Sequence, residues 1–147
     1  MLIGIDPKTT PALLACLARM GHGDEIAVVD SNFPATSTAA ECTHKQVIHY
    51  PGSDAPAVVD LITKLMPIDP FHEYGALRME IDDALDEMNG AHQAAWDILN
   101  ARLPEGAKLS SILRQKFYTQ ARRCFAVVQC DEHRPFVCFI LRKGVIF

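Results

Sequence analysis

The fold class of this chain is decided by residues 20–32, which read MGHGDEIAVVDSN. Residues 26–29 are apolar at every position and the run stops at Asp30. This pattern predicts a short strand that is buried on both faces, as in a parallel sheet. Because such a strand needs helices on both sides of its sheet, the stretch indicates an α/β domain.

The segment that precedes this strand is a predicted helix. Thr10 is a hydroxyl N-cap and Pro11 stands at the first helical position, and both favour a helix start. Gly21 ends the helix, after a single apolar stripe at Leu13, Leu14, Leu17 and Met20. The chain therefore opens with a helix followed by a buried strand.

Similar patterns continue the alternation of strands and helices. Further strands are predicted at residues 45–50, 76–81, 125–129 and 136–141. Further helices are predicted on the stripe Val58, Leu61, Ile62 and Leu65, at residues 91–103, and from a cap at Ser110 or Ser111 to about Arg122. Residues 131–135 suit a hairpin between the last two strands. Residues 1–147 are predicted to form a single three-layer α/β domain with a mixed β-sheet flanked by helices.

Composition and charge narrow the class of function. The 147 residues are 49% hydrophobic and 22% charged, which is typical of a folded domain. The formal net charge is -4 and the basic residues are scattered, so no nucleic-acid partner is expected. The five cysteines form no C-x-x-C pair, and residues 1–20 lack a basic leader with an apolar core. We expect a cytoplasmic protein with no disulfide framework and no membrane partner.

His22 lies between two glycines that leave its backbone free to adopt tight conformations. The imidazole is therefore a candidate acid/base group that projects into a cleft. The alternative is a solvated loop residue next to a helix C-cap at Gly21. The glycines follow a helix and precede a strand, the reverse of a dinucleotide fingerprint, so no dinucleotide cofactor is predicted.

Two aspartates are candidate ligand-binding residues. Asp30 follows the buried strand, and ligands of open α/β sheets gather at the carboxyl ends of strands. Asp69 stands in a turn-like segment between Pro67 and Pro70. For both aspartates the alternative is a local Asx turn or cap without a ligand.

Metal binding and covalent catalysis are not supported by the sequence. Cys42, His44 and His49 are the one cluster with ligand-like spacing, but residues five apart on a strand point to opposite faces. No G-x-S-x-G elbow occurs, and the cysteines lie mostly in apolar runs, where they act as small core side chains. No metal site is predicted.

Several motifs, taken together in chain order, resemble a known family. They are LARMGHGDEI at 17–26, Asp30 with NFPA at 32–35, LMPID at 65–69, Phe117-Tyr118 with Ala121, FAVV at 125–128 and LRKGV at 141–145. They are similar to those of the fucose mutarotase and ribose pyranase family, and most similar to its fucose mutarotases. Residues 82–110 are the least similar part of the chain.

The resemblance implies an isomerase that interconverts the cyclic forms of a monosaccharide without a cofactor. It implies that His22 is the acid/base, with Asp30, Asp69, Arg114 and Tyr118 around the sugar. Histidine suits this role because its ordinary pKa of about 6.5 lets it exchange protons near neutrality. The resemblance also implies a ring-shaped homo-oligomer, with ten subunits as one candidate size, whose sites lie at subunit contacts.

One departure from the family concerns the end of the site. Family members usually carry a Tyr-x-Asn triplet where this chain has Phe136, Val137 and Cys138, so Phe136 and Cys138 become candidate sugar-binding residues that lack the phenol and the amide. A different sugar or a weaker enzyme would follow. The alternative function is a non-catalytic sugar-binding or regulatory protein, and a third is a purely structural ring component.

The spacing of His22 and Asp30 poses a geometric question. A fully extended chain between them would span roughly 26 Å, which is too far for one monosaccharide. Either the Gly-His-Gly loop folds back toward Asp30, or two subunits complete each site.

Overall fold

Helices and strands alternate along the chain in the computed structural model, which describes residues 1–147. The five helices are α1 Pro11–Arg19, α2 Ala35–Ala39, α3 Ala55–Thr63, α4 Gly90–Asn100 and α5 Arg114–Ala121. The six strands are β1 Glu25–Val29, β2 Ile48–Tyr50, β3 Ala76–Met79, β4 Leu109–Ile112, β5 Ala126–Cys130 and β6 Phe139–Arg142. None of the helices combines the length and the apolar character needed to traverse a bilayer.

The strands form one mixed sheet in the order β2-β5-β1-β6-β3-β4. β1 pairs in parallel with β5 and antiparallel with β6. β6 is also antiparallel to β3, whose other neighbour, β4, is parallel to it. Every residue of β1 is buried, which its apolar sequence predicts for a strand covered on both faces. The predicted α/β fold with a mixed sheet is confirmed.

Two apolar layers cover the sheet from opposite sides. The larger layer holds Ile26 and Val28 of β1 together with buried side chains of α1, α3 and α4. The smaller layer holds Ala27 and Val29 together with buried side chains of α2 and α5. Because successive side chains of a strand point to opposite faces, β1 supplies two residues to each layer. The result is the three-layer arrangement that the sequence predicts.

The predicted hairpin between the last two strands is wrong. β5 and β6 are not neighbours, because β1 lies between them and pairs with both. Residues 131–138 therefore cross over the carboxyl end of β1 rather than making a tight turn. They are tied to that end by the Ser31 amide, which donates to the Glu132 carbonyl oxygen at 3.0 Å. A five-residue loop satisfies the local rule for a hairpin, but pairing with the central strand decides the topology.

The predicted helix cap at Ser110 or Ser111 is also wrong. Both serines lie in the edge strand β4, which pairs in parallel with β3. Ser111 Oγ donates to the Glu80 carboxylate at 2.7 Å instead of capping a helix. α5 begins only at Arg114, after Leu113, whose side chain makes no capping hydrogen bond. Tertiary pairing here outweighs the local capping preference of serine.

Candidate active site

The residues predicted to form the site are divided between the two ends of β1. His22 and Asp69 lie beside the first residue of the strand, while Asp30 immediately follows its last residue. Five strand residues at about 3.3 Å each separate the two ends by roughly 17 Å. A single chain therefore presents two clusters, which we call the His22 cluster and the Asp30 pocket.

A tight loop presents His22 at the amino end of β1. Gly23 adopts a φ of +85°, and a Cβ there would lie 3.1 Å from a guanidinium nitrogen of Arg142. The Gly23 amide donates to the Lys143 carbonyl oxygen at 2.9 Å, and the Lys143 amide donates to the Asp24 carbonyl oxygen at 2.8 Å. These bonds extend the β1–β6 pairing into the loop. Gly23 is required here because a side chain would strain the backbone and crowd Arg142.

His22 is held by a buried carboxylate. Its Nε2 donates to Asp69 Oδ1 at 3.2 Å, and the His22 side chain is 48% exposed whereas the Asp69 side chain is 2% exposed. Because an ionised carboxylate has no proton to give, Nε2 carries the hydrogen and Nδ1 is the basic nitrogen of the neutral ring. The exposed ring of Phe71 lies edge-on to the imidazole, with 6.0 Å between the ring centres. His22 is thus an oriented, accessible base.

Asp69 stays ionised beneath His22. Burial raises the pKa of the Asp69 carboxyl, but hydrogen bonds from the Phe71 amide, His22 and Arg142 outweigh burial and hold that pKa below its ordinary value. Oδ1 accepts the Phe71 amide at 3.1 Å, and Oδ2 accepts Arg142 Nε at 3.0 Å. The Phe71 bond is the local Asx turn that the sequence left open. Asp69 therefore forms a turn and orients His22 at the same time.

Arg142 connects this pair to a second buried carboxylate. Its Nη1 donates to Glu25 Oε1 at 3.3 Å, and Glu25 is otherwise satisfied by the Tyr74 hydroxyl and by Gln120 Nε2 at 2.6 Å. Glu25 and Arg142 face each other across the antiparallel β1–β6 pair. The Arg142 guanidinium thus lies between the carboxylates of Asp69 and Glu25. The β1–β6 register fixes its position, so its positive charge stays beside Asp69 and favours the ionised form.

The Asp30 pocket is a cavity of about 160 Å³ at the carboxyl end of β1. This volume lies below the roughly 300 Å³ at which pockets for drug-sized ligands begin, so the cavity fits a small ligand. Its lining combines opposite charges with aromatic faces and consists of Asp30, Asn32, Phe33, Met79, Arg114, Tyr118, Pro135 and Phe136.

The two carboxylate oxygens of Asp30 differ in how strongly they are hydrogen-bonded. Oδ1 accepts the Asn32 amide at 2.9 Å, which is the predicted Asx-turn alternative. Oδ2 accepts only the Cys138 thiol at 3.4 Å. Burial raises the pKa of the Asp30 carboxyl, and the hydrogen bonds from Cys138 and the backbone offset this only in part. Oδ2 is therefore the oxygen with acceptor capacity left for a further hydrogen bond.

Arg114 and Tyr118 face Asp30 from α5. They stand four residues apart, and the Arg114 guanidinium carbon lies 5.8 Å from the centre of the Tyr118 ring. Arg114 Nε donates to Asp82 at 2.8 Å, which leaves other guanidinium hydrogens for a ligand. Phe33 packs against Tyr118 at 5.4 Å between ring centres. This wall offers hydrogen-bond donors beside an aromatic surface.

Phe136 completes the pocket with an unusual backbone. Its φ is +64°, and Asp83 is the one other non-glycine residue with a positive φ. The predicted strand at 136–141 consequently begins only at Phe139. Cys138, in contrast, is fully buried behind Asp30, where its amide donates to the Phe136 carbonyl oxygen. Phe136 can reach a ligand directly, whereas Cys138 acts on Asp30.

The structure thus brings Asp30, Arg114, Tyr118 and Phe136 together and places His22 with Asp69 elsewhere. Sequence reasoning missed Glu25 and Arg142. Their opposite charges were the available signal, but the pairing of their two strands was not predicted. It also missed Phe33 and Met79 in the pocket lining. A larger cavity of about 440 Å³ contains none of the predicted residues and is lined by Ser31, His49, Pro51, Gln129, Cys130 and Asp131.

Comparison with known proteins identifies the family. The model of the RbsD / FucU transport protein family matches residues 3–146. This chain belongs to the RbsD / FucU family. It is 36% identical to the fucose mutarotase of Homo sapiens over 99% of this chain and 94% of that protein. It is 35% identical to the L-fucose mutarotase of Haemophilus influenzae over 99% of this chain and 97% of that protein.

Solved structures support the same family. The fucose mutarotase of Streptococcus pneumoniae in complex with L-fucose superposes with a TM-score of 0.88 at 27% identity, covering 99% of this chain and all of that one. The RbsD of Bacillus subtilis complexed with D-ribose superposes with a TM-score of 0.70 at 16% identity over the whole of both chains. The second likeness establishes the shared fold alone.

Proposed function

We propose that this RbsD / FucU protein is a monosaccharide mutarotase that acts on a fucose-like sugar, with His22 as the acid/base. The observation that carries the proposal is the pair of His22 and buried Asp69, which leaves His22 Nδ1 basic and accessible. The names of the relatives, fucose mutarotase in Homo sapiens and Haemophilus influenzae, support an enzyme of the isomerase class. No cofactor enters this reaction.

The reaction needs two coordinated proton transfers. His22 Nδ1 accepts the proton of the anomeric hydroxyl while the bond between the anomeric carbon and the ring oxygen breaks. The ring oxygen takes a proton from the Asp30 pocket, where the Tyr118 hydroxyl is the candidate acid. The open aldehyde turns its other face to the oxygen and closes again as both protons return. Asp69 stabilises the imidazolium that forms during this cycle.

The site is completed by a second copy of the chain. The loop around His22 turns toward Asp69 and not toward Asp30, so one of the two predicted solutions to the spacing, a loop that folds back, gains no support. The apolar residues exposed near the His22 cluster favour burial against another subunit. Phe71 is 66% exposed beside His22, and Ile146 and Phe147 are exposed beyond Lys143 and Gly144. We infer a homo-oligomer in which His22 of one copy meets the Asp30 pocket of its neighbour.

Phe136 and Cys138 set the choice of sugar. Phe136 offers an apolar face where the family usually has a phenol, so the sugar face at this wall makes no hydrogen bond to a side-chain hydroxyl. Cys138 leaves Asp30 Oδ2 with a single weak donor, which makes that oxygen a freer acceptor for a sugar hydroxyl. Compared with a phenol, Phe136 therefore offers the bound sugar one hydrogen bond fewer.

The alternative function is binding without turnover, which the substitutions at Phe136 and Cys138 favour. Exchange NMR separates the two functions, because it detects interconversion of α and β anomers at equilibrium. The screen uses L-fucose, D-ribose and several other aldoses with the wild-type protein and with His22→Ala. Mutarotase activity predicts anomeric exchange above the buffer rate that His22→Ala loses. Saturation transfer from the protein to a sugar without any faster anomeric exchange would establish the binding function instead.

A further inference from the structure

The pocket wall at Phe136 is held by the amino end of α4, a contact between segments that are far apart in sequence. His92 Nε2 lies 2.8 Å from the Phe136 carbonyl oxygen, and Asn89 Nδ2 donates to the Pro135 carbonyl oxygen at 3.3 Å. Two consecutive carbonyls are thus bound by one helix end. The Phe136 ring, by contrast, packs with the layer of α2 and α5. The residue is anchored on one side of the sheet and presents its ring on the other.

We propose that His92 is a positioning residue that fixes Phe136 in its left-handed backbone conformation and thereby sets the shape of the sugar pocket. The inference rests on the proposed function, since it assigns Phe136 a place against the sugar. A left-handed conformation is unfavourable for an aromatic residue and persists only where the surroundings impose it. The hydrogen bond from a fully buried histidine supplies that constraint.

The hydrogen bonds of His92 define its tautomer. His92 Nδ1 accepts the backbone N–H of Asn89 at 3.3 Å, so Nε2 carries the hydrogen and donates it to the Phe136 carbonyl oxygen. Burial lowers the pKa of His92, and the nearby positive charges of Arg78 on β3 and Arg134 in the crossover loop lower it further. The Phe136 carbonyl and the Glu132 carboxylate raise it, but by less. The neutral ring is the form that fits, because a hydrogen on Nδ1 would oppose the Asn89 N–H.

At this helix position a histidine makes two hydrogen bonds, one to Asn89 and one to Phe136, of which the usual glutamate could make only the first. His92 is the third residue of α4 and forms a capping box with Asn89. Glutamate usually fills this position and would accept the Asn89 amide, but an ionised glutamate has no donor for the Phe136 carbonyl. The choice of histidine therefore points to the contact with Phe136 rather than to helix capping alone.

The crossover loop is rigid on its other side, so His92 acts on a defined segment. Glu132 is 2% exposed in its side chain, and it accepts Arg134 Nε at 2.7 Å and the Ala55 amide at 3.3 Å. Ser31 Oγ donates to the Glu132 carbonyl oxygen. Residues 131–134 are thereby fixed to β1 and α3. The part of the loop left for α4 to fix is Pro135 and Phe136.

Two substitutions separate the contacts of His92. In His92→Asn the amide oxygen replaces Nδ1 as the acceptor for Asn89, but no donor reaches Phe136. In His92→Gln the longer amide places a donor near the position of Nε2. Leu99→Val is the matched control, because it perturbs the buried face of the same helix seven residues away, about 10 Å along its axis.

Amide hydrogen exchange and anomer-exchange kinetics are measured for each variant. We expect His92→Asn to speed exchange of the Cys138 amide, which donates to the Phe136 carbonyl, by about 10-fold. We expect it to raise KM for L-fucose about 5-fold with kcat within about 2-fold, because a wall that binds the ground and transition states alike changes KM alone. His92→Gln should recover most of both effects, and Leu99→Val should show neither.

The two arms keep the inference separate from the proposed function. If the wild-type protein exchanges the anomers of no sugar, the proposed function fails, and the exchange of the Cys138 amide still decides the role of His92. An unchanged Cys138 amide in His92→Asn would overturn the inference. So would Leu99→Val raising KM as much as His92→Asn, because the effect would then be general destabilisation of α4.

Discussion

Replacing Asp69 by asparagine tests whether the buried carboxylate assists His22 through its charge. The amide oxygen of Asp69→Asn can still accept the His22 Nε2 hydrogen, so the ring keeps its orientation and loses the negative charge beneath it, while the amide nitrogen that replaces Oδ2 no longer accepts Arg142 Nε. Arg142 retains Glu25 as a partner at 3.3 Å, which limits the damage to the fold. The substitution therefore separates charge stabilisation from geometry.

The expected size of the effect follows from the distance. Two unit charges 3.2 Å apart interact by about 1.3 kcal/mol in water and about 5 kcal/mol at an effective dielectric constant of 20. His22 is 48% exposed, so the lower part of this interval applies, roughly 1.4–2.7 kcal/mol. A loss of that size in the transition state slows anomeric exchange by about 10- to 100-fold.

Exchange NMR at saturating L-fucose gives the rate, with Asp24→Asn as the matched control. Asp24 lies in the same loop and accepts the Gly21 amide at 2.7 Å, but it forms no hydrogen bond or ion pair with the His22 side chain. Asp24→Asn should leave the rate within about 2-fold of the wild-type rate. If Asp69→Asn retains more than about a third of the wild-type rate while His22→Ala is inactive, the charge contributes less than about 0.7 kcal/mol and does not have the role assigned to it.

Three further substitutions have defined outcomes. His22→Ala should abolish anomeric exchange and shift Tm by no more than about 3 °C, because the side chain is half-exposed; a large Tm loss in calorimetry would instead make it structural. Phe136→Tyr should tighten L-fucose binding about 5-fold in titration calorimetry through one added hydrogen bond, and equal or weaker binding would show that the wall suits an apolar face. Glu132→Gln should lower the free energy of unfolding by about 1–2 kcal/mol at pH 7, because it removes the charge of a buried carboxylate whose partner, Arg134, is half-exposed. Burial raises the pKa of Glu132, but the hydrogen bonds from Arg134 lower it overall. The stability that Glu132 contributes is therefore present above about pH 5 and is lost as pH falls through its folded-state pKa. Wild-type and Glu132→Gln unfolding free energies that differ equally at pH 7 and pH 3 would contradict this.

The central strand and the His22 loop could be predicted from sequence, but the position of β6 could not. The run 26–29 is too apolar and too short for anything but a strand covered on both faces, and it became β1. Residues 131–135 satisfy the local rules for a hairpin equally well. What places β6 beside β1 is a pairing between residues more than a hundred positions apart, Ala27 with Ile140. No local pattern carries that information.

The same limit applies within the candidate site. The local sequence of Asp69 indicates a turn, which the structure confirms, but its contact with His22 joins residues 47 positions apart. The Glu25–Arg142 pair depends on the antiparallel β1–β6 register, about which the predicted hairpin gave no information. His92 lies in the stretch least similar to the family, where the available signal was Asn89 three residues earlier, a capping-box spacing.

Mixing two inactive variants tests whether two copies of the chain share one site. His22→Ala lacks the base and Tyr118→Phe lacks the candidate acid, so each alone should be inactive. If each site joins His22 of one copy to Tyr118 of its neighbour, random assembly of equal amounts restores both groups in about a quarter of the sites. Exchange NMR of L-fucose should then recover about a quarter of the wild-type rate. Mixed assemblies that contain both variants, isolated with two different affinity tags, and yet exchange no anomers would contradict a shared site.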